Sequence, residues 1–519
     1  MHKHLYILIF LLSACGGGGG SGGSSSGGGN GGTGPTPPGV GTVSGQITFD
    51  RVPYRTSGGV NALDFAAVTQ APARGVVVEL LDITGMAAEA VEENPAMRFH
   101  LTCQNPNNPA PMNRLMETSV ATGAQEGNRT PDLRITSESA RDVLFKFDMT
   151  KSPFSSNYSE ARDKFLQSAE EAGASSWSYK HPELGPDGEV LFTDCAWLGP
   201  NDAKAVLVLV SGTHGVEGFC GSGAQIDWLR RREFSLLGED SAVLLIHALN
   251  PYGFAWKRRV THENVDLNRN FVDFSQPLPV NAAYDTLAAA LKPDDWSEEF
   301  QTSSRKVILQ FAQTHGWPAL AQAVSGGQYS HADGLFFGGF APTWSRATLE
   351  EIFAQHLSHA TNIGIVDFHT GLGPEGYGEP IISNSAGSPE HLRAVQWHGL
   401  AAKCLATGES VSAELAGDWM RAAPELLGHA QVTGVSLEFG TVESNQVLEA
   451  LRADNWLHTH GDPFGPQAAE IKAQIFGAFF IDNDEWRGMI LGQSLMTIRQ
   501  TINGLARDCT LIRELTESN

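Results

Sequence analysis

The chain has 519 residues, 18% of them charged and 41% hydrophobic, with a formal net charge of -23. That length accommodates more than one domain, and the balance is that of an ordinary globular protein. The acidity is spread out rather than run together, so it reads as a solubility feature and argues against a nucleic-acid partner.

At the amino terminus His2, Lys3 and His4 precede the apolar run Leu5–Leu12, which is too short to span a bilayer. The run ends in Leu12-Ser13-Ala14-Cys15, which resembles the lipobox of bacterial lipoproteins. The resemblance implies a signal peptide over 1–15, lipidation at Cys15 and a membrane partner through that anchor. By the same resemblance, Gly16 after the cysteine, where no aspartate stands, implies the outer membrane of the cell envelope rather than the inner one. Residues 16–42, rich in Gly, Ser and Pro, read as a flexible tether holding a soluble catalytic domain off the surface. Residues 43–85 read as a short β-rich segment, with Val43–Phe49 and Arg74–Asp82 as strands that resemble the start of a small prealbumin-like sandwich. Residues 86–143 show no clear period and read as an irregular linker or a fusion junction. Of the six cysteines, none forms a CxxC pair, so a thiolate metal cluster has no support and disulfide pairing stays open.

From 144 to 515 the pattern becomes regular. Ala205–Val210, Ala242–Leu249, Asn362–Phe368 and Val435–Phe439 read as buried strands. Glu160–Ala172, Gly223–Arg232, Asn281–Leu291, Ser304–Thr314, Leu349–His359 and His391–Ala406 read as helices. Strands alternating with helices predict an α/β domain with a mixed, largely parallel sheet flanked by helices.

Four short motifs sit at or just beyond predicted strand ends, where open α/β sheets place their sites. They are His214-Gly-Val-Glu217; Asn250-Pro251-Tyr-Gly253 continuing through Arg258-Arg259 to Asp266-Leu-Asn268-Arg269-Asn270-Phe271; Asp367-Phe-His369; and Glu438 in Val435–Thr441. Two imidazoles and one carboxylate fill three positions of a tetrahedral zinc and leave the fourth to water. His214, Glu217 and His369 supply that set, which predicts one Zn2+ per chain. Glu438 is then available as general base and later as proton donor. Arg259, Asn268 and Arg269 suit a substrate carboxylate or carbonyl, because the guanidinium fork matches a carboxylate. Arg258 competes with Arg259 for that role. Asp367 either orients the His369 ring or points away from it. A Gly- and aromatic-rich stretch, Ser325–Gly339, suggests a covering loop with Tyr329 as a substrate contact.

These residues resemble the M14 zinc carboxypeptidases, with their succinylglutamate desuccinylase and aspartoacylase branch, and the finer pattern resembles a group known as DUF2817. The resemblance covers roughly residues 145–515 and implies a zinc carboxypeptidase-like fold with a metallopeptidase or related amide hydrolase activity. The expected partner is a peptide, or an N-acyl amino acid if the chain is a deacylase of the second branch. A non-catalytic surface lipoprotein keeping the fold is the alternative from another class, and the intact Glu438 argues against it.

Overall fold

The computed structural model describes strand segments between residues 48 and 117, the backbone of 152–517 and the side chains of 152–507. Cys15 and the tether lie outside the described residues. The chain divides into two units, Met1–Phe147 and Asp148–Asn519. Within the first, Thr48–Arg51 pairs antiparallel with Thr69–Pro72 and Tyr54–Ser57 with Val60–Leu63, while Val76–Leu81, Arg98–Asn105 and Asn108–Glu117 form an antiparallel sheet. The last two strands fall in the stretch read as irregular, which corrects that reading there. Phe99, Leu101 and Cys103 alternate with His100 and Thr102, a period of two masked by its polar surroundings.

The second unit carries an eight-stranded sheet. In chain order its strands are β1 (Ser175–Leu184), β2 (Val190–Leu198), β3 (Ala205–Val210), β4 (Ser241–His247), β5 (Asn362–Glu375), β6 (Gly378–Ile382), β7 (Lys403–Cys404) and β8 (Gln431–Gly440). The spatial order is β7-β6-β8-β5-β3-β4-β2-β1. The central β8, β5, β3 and β4 run parallel; β2 and β1 are antiparallel to their neighbours, and β6 is antiparallel to β8 but parallel to β7. The mixed, largely parallel sheet expected from the sequence is therefore present.

The helices are α1 (Tyr158–Ala172), α2 (Gly218–Arg230), α3 (Pro251–Ala255), α4 (Ala282–Leu291), α5 (Glu298–His315), α6 (Trp317–Ser325) and α7 (Trp344–His356), then α8 (Pro389–His398), α9 (Trp419–Leu426), α10 (Ser444–Thr459), α11 (Ala468–Phe479) and α12 (Asp484–Glu517). Every residue of β3 is buried, which is why it reads as an unbroken apolar run: a central parallel strand is covered on both faces. Val206, Val208 and Val210 pack with Leu349 and Ile352 of α7 and with Trp419 of α9. The opposite face is covered by α2 and α12. There Gly364 of β5 lets α12 approach so closely that a Cβ would stand 2.6 Å from the Thr501 side chain.

A second cluster gathers α4, α5, α6, α10 and α11 around Leu287, Ile308, Leu320, Val447 and Ile475. Val216, from the turn that follows β3, belongs to it and ties it to the sheet end. The helix expected over 391–406 is shorter than expected. It stops at His398 because Gly399 adopts φ 68°, and the chain returns as β7. Cys195, Cys220 and Cys404 are free. No helix among the described residues is long and apolar enough to cross a membrane.

Candidate metal centre

The site grows from the turn between β3 and α2. Gly215 must be glycine, since a Cβ would stand 2.0 Å from the Gly253 backbone. That close approach lets Gly215 N donate to Arg259 O (3.1 Å) and Val216 N to Arg258 O (2.8 Å), so the first two motifs are stitched together through their backbones. Asn250 caps α3 by accepting from Gly253 N at 2.9 Å, which fixes the far side of the same contact.

His214 thus hangs beyond the end of β3, Glu217 stands at the start of α2, and His369 projects from β5. A ligand atom from each lies within 4.8 Å of the others, and all three residues are buried. The His214 Nδ1 to Glu217 Oε1 distance is 2.9 Å, His369 Nδ1 to Glu217 Oε2 is 3.1 Å, and the two Nδ1 atoms are 3.3 Å apart. The outer nitrogens are oriented from behind. His369 Nε2 meets Asp367 Oδ2 at 2.6 Å, and Asp367 is itself held by Thr213 Oγ1 (2.8 Å) and Trp419 Nε1 (2.8 Å), both donating. Asp367 therefore orients the imidazole and does not point away. His214 Nε2 has two neighbours of opposite kind, the acceptor Asp266 Oδ1 at 3.1 Å and the donor Arg259 Nη2 at 2.9 Å.

This donor set fits a divalent cation. If each Nε2 carries its hydrogen toward an aspartate, both Nδ1 lone pairs and the Glu217 carboxylate converge as acceptors on one small space. Positive charge at the centre relieves that convergence. The field points the same way. Burial opposes the charge on His369, but Asp367 and Glu217 outweigh it and raise its pKa well above the ordinary value. Burial likewise opposes ionisation of Glu217, but His214, His369 and Arg259 outweigh it and hold the carboxyl below the usual range.

Asp266 is the residue that sequence reasoning passed over, although it stands inside the quoted Asp-Leu-Asn-Arg motif. It accepts from Arg259 Nε (2.9 Å) and from Asn268 N (3.0 Å), and it faces His214. Burial works against its charge, but Arg259, Arg269 and His214 keep it ionised well below the ordinary range. Arg259 also donates Nη1 to Glu217 at 2.8 Å. The paired arginines face in different directions. Arg258 turns to Asp454 (3.1 Å) and Asn264 (3.0 Å), while Arg259 faces the centre.

Arg269 spends three of its five N–H groups on the carbonyls of Ser325 and Asn268. Burial and then the like charge of Arg259 depress its pKa despite Asp266, so an anion beside it is favoured. Asn268 Oδ1 is buried and lacks a partner among the described residues. Phe336, at φ 54°, lies under both arginines, 5.4 Å from the Arg259 guanidinium and 5.5 Å from that of Arg269.

Glu438 pairs in register with His369 across the parallel strands β5 and β8, so both side chains emerge on one face of the sheet. Its Oε1 accepts from Leu372 N at 3.0 Å. Burial first, and then the Glu217 carboxylate, push its pKa up to about 8. His214, His369, Glu438, Arg259, Asn268 and Arg269 all line one cavity of about 700 Å³, with Glu217 behind them. Tyr329 is the exception. Its hydroxyl donates to the Arg269 carbonyl, so it braces the arginine's backbone and lies outside the cavity lining. The Gly-rich stretch pointed to a covering loop, but Gly338 leaves room for the Tyr329 ring to pack inward: a Cβ there would stand 2.2 Å from it.

Residues 154–493 match the family described as "Protein of unknown function (DUF2817)". No curated protein matches the chain. Solved structures similar to it include carboxypeptidase A from Helicoverpa armigera, 12% identical over 67% of this chain and 83% of that one, with a TM-score of 0.36. The succinylglutamate desuccinylase from Chromobacterium violaceum is 16% identical over 60% of this chain and 71% of that one, TM-score 0.27. Murein-tripeptide amidase MpaA from Escherichia coli O157 is 16% identical over 56% and 93%, TM-score 0.25.

Proposed function

The chain belongs to the DUF2817 family, and from its own site we propose a zinc-dependent hydrolase that cleaves an amide bond next to a carboxylate, in the manner of a metallocarboxypeptidase. The observation that carries this reading is the convergence of His214 Nδ1, His369 Nδ1 and the Glu217 carboxylate beside a buried, readily protonated Glu438. His214, Glu217 and His369 would hold the ion. Bound zinc supplies Lewis acidity and lowers the pKa of a water to about 7. Glu438 takes the proton from the attacking water on its carboxylate and passes it to the leaving nitrogen, the dual role its raised affinity for protons suits. Arg269, which lines the cavity and has Asp266 as an ion-pair partner at 3.6 Å, receives the substrate carboxylate, and Asn268 Oδ1 accepts a substrate N–H. Arg259 remains at the centre to polarise the scissile carbonyl.

An N-acyl amino acid would satisfy the same groups, so a deacylase is the second reading. Its support is the depth of Arg269, which is 2% exposed and suits a small carboxylate. Zinc content and hydrolysis of C-terminally free and blocked peptides beside N-acyl amino acids test both. Turnover that blocking does not slow would remove the carboxypeptidase reading, and zinc binding without turnover of any amide would leave a binding protein. The lipid anchor at Cys15 is part of the same proposal. Loss of radiolabelled palmitate incorporation in Cys15→Ser would support it, and undiminished membrane association of that variant would refute it.

A further inference from the structure

The cavity is larger than the metal centre needs, and the excess is largely apolar. Trp317, Leu320, Ala321, Val324 and Ser325 of α6 all line it, a spacing of three and four that places them on one face of the helix. This helix carries no charged residue. Its inner end touches the site, since the Ser325 carbonyl accepts from Arg269. Its outer end, Trp317, is 62% exposed. From Ser325 to Trp317 the stripe runs about 12 Å at the helical rise. Ile308 and Leu309 of α5 and Val447 and Leu451 of α10 add matching stripes, and Val411 comes from a loop between β7 and α9.

That loop is pinned deliberately. Glu379 of β6, paired in register with Glu438, is buried and accepts from Ser410 Oγ (2.8 Å) and Val411 N (3.0 Å). The charged lining residues away from the metal centre include Arg305, which pairs with Glu449 at 3.1 Å, and Glu443, with Glu449 also held by Arg452 at 2.7 Å. Apolar side chains left exposed at a cavity mouth, beside a charged floor, mark where an apolar ligand displaces water.

We propose that the site takes carboxylate-bearing amides that also carry an extended apolar group, laid along α6 between Arg269 and Trp317. This rests on the hydrolase reading above. The length suits a medium-chain acyl group or about three to four extended apolar residues. The chemistry is ordinary hydrolysis: the C–N bond breaks, the oxygen of one water joins the acyl carbon, and both its hydrogens end on the amine. A charged wall would reject such a substrate, whereas here each methylene buried gains about fourfold in affinity.

The test uses the full chain loaded with zinc and two series of compounds. One is N-acylglycines from acetyl to lauroyl, and the other is N-acetylated peptides of one to four leucines. We expect kcat/KM to rise by at least tenfold along one series or both, which also tells an acyl source from a peptide one. In Trp317→Ala the ratio of longest to shortest should fall at least fivefold, and Trp317→Phe should restore most of it. The exposure of Trp317 keeps folding out of the comparison. Calorimetric binding of the same compounds to Glu438→Gln separates the two readings. Length-dependent binding without turnover by the native chain supports the apolar subsite and overturns the hydrolase. Turnover or binding that is flat along both series overturns the apolar subsite alone.

Discussion

Asp367→Asn tests whether the second layer of the centre sets metal affinity. The carboxylate takes Trp419 Nε1 and His369 Nε2 on Oδ2 and Thr213 Oγ1 on Oδ1, and all three donor residues are buried. Asparagine keeps one oxygen. If that oxygen stays toward Trp419 and His369, the new amide nitrogen faces Thr213, whose hydroxyl rotates and accepts. Geometry survives in that orientation, and the loss is the charge. A bond to an ionised acceptor contributes about 1.5–3 kcal/mol and a neutral one about 0.5–1.5. The difference, about 1–2 kcal/mol, corresponds to roughly a 5- to 30-fold weaker hold on zinc, in keeping with the usual effect of removing such an orienting partner. Competition against a chromophoric chelator at neutral pH measures it, with circular dichroism to show the fold is intact. A dissociation constant within twofold of the native value in folded Asp367→Asn would refute the reasoning.

Glu438→Gln should bind zinc within twofold of the native chain yet lose about 10²- to 10⁴-fold in kcat, and full loss of metal would instead make Glu438 a ligand. Because its folded pKa of about 8 lies above the unfolded carboxyl value, the folded chain binds the extra proton between them. Stability of the chelator-treated protein should therefore fall as pH rises from 5 to 8, and less steeply in Glu438→Gln. The depressed carboxyls of Glu217 and Asp266 are ionised throughout that window, so parallel urea-melt profiles would count against the assignment. Tyr329→Phe should lower stability by about 1 kcal/mol while KM stays within twofold, since what is lost is a brace to the Arg269 and Ala416 carbonyls. Glu379→Ala should raise KM about tenfold by freeing Ser410 and Val411, and an unchanged KM would show that the loop holds itself.

The central strands β3, β5 and β8 were legible because burial on both faces writes an apolar run into the sequence. His214, Glu217, His369 and Glu438 were legible because each stands at the end of such a run. Asp266 was not, since a carboxylate one residue from Leu267 and three from Arg269 has an ordinary explanation in its own turn. Tyr329 misled because glycine and aromatics together suit a loop over a site as well as a ring packed into one. The cavity was invisible for a different reason. The stripe on α6 has the spacing of any core-facing helix, and only the packing of α5, α6 and α10 shows that its outer end, Trp317, stays exposed among the described residues.

The pairing of His369 with Glu438 has a consequence for how the protein can fail. His369 and Glu438 share neither a loop nor a helix, and their relative placement is fixed by how β5 and β8 are aligned. A slip of one residue between those strands would turn Glu438 to the far side of the sheet while every site residue stayed in the sequence. Activity is therefore exposed to substitutions in remote apolar positions of β8, such as Val432 or Val435, which hold that alignment. A variant scan of this chain should find inactive proteins with an untouched active centre, and the defect in them will be one of alignment.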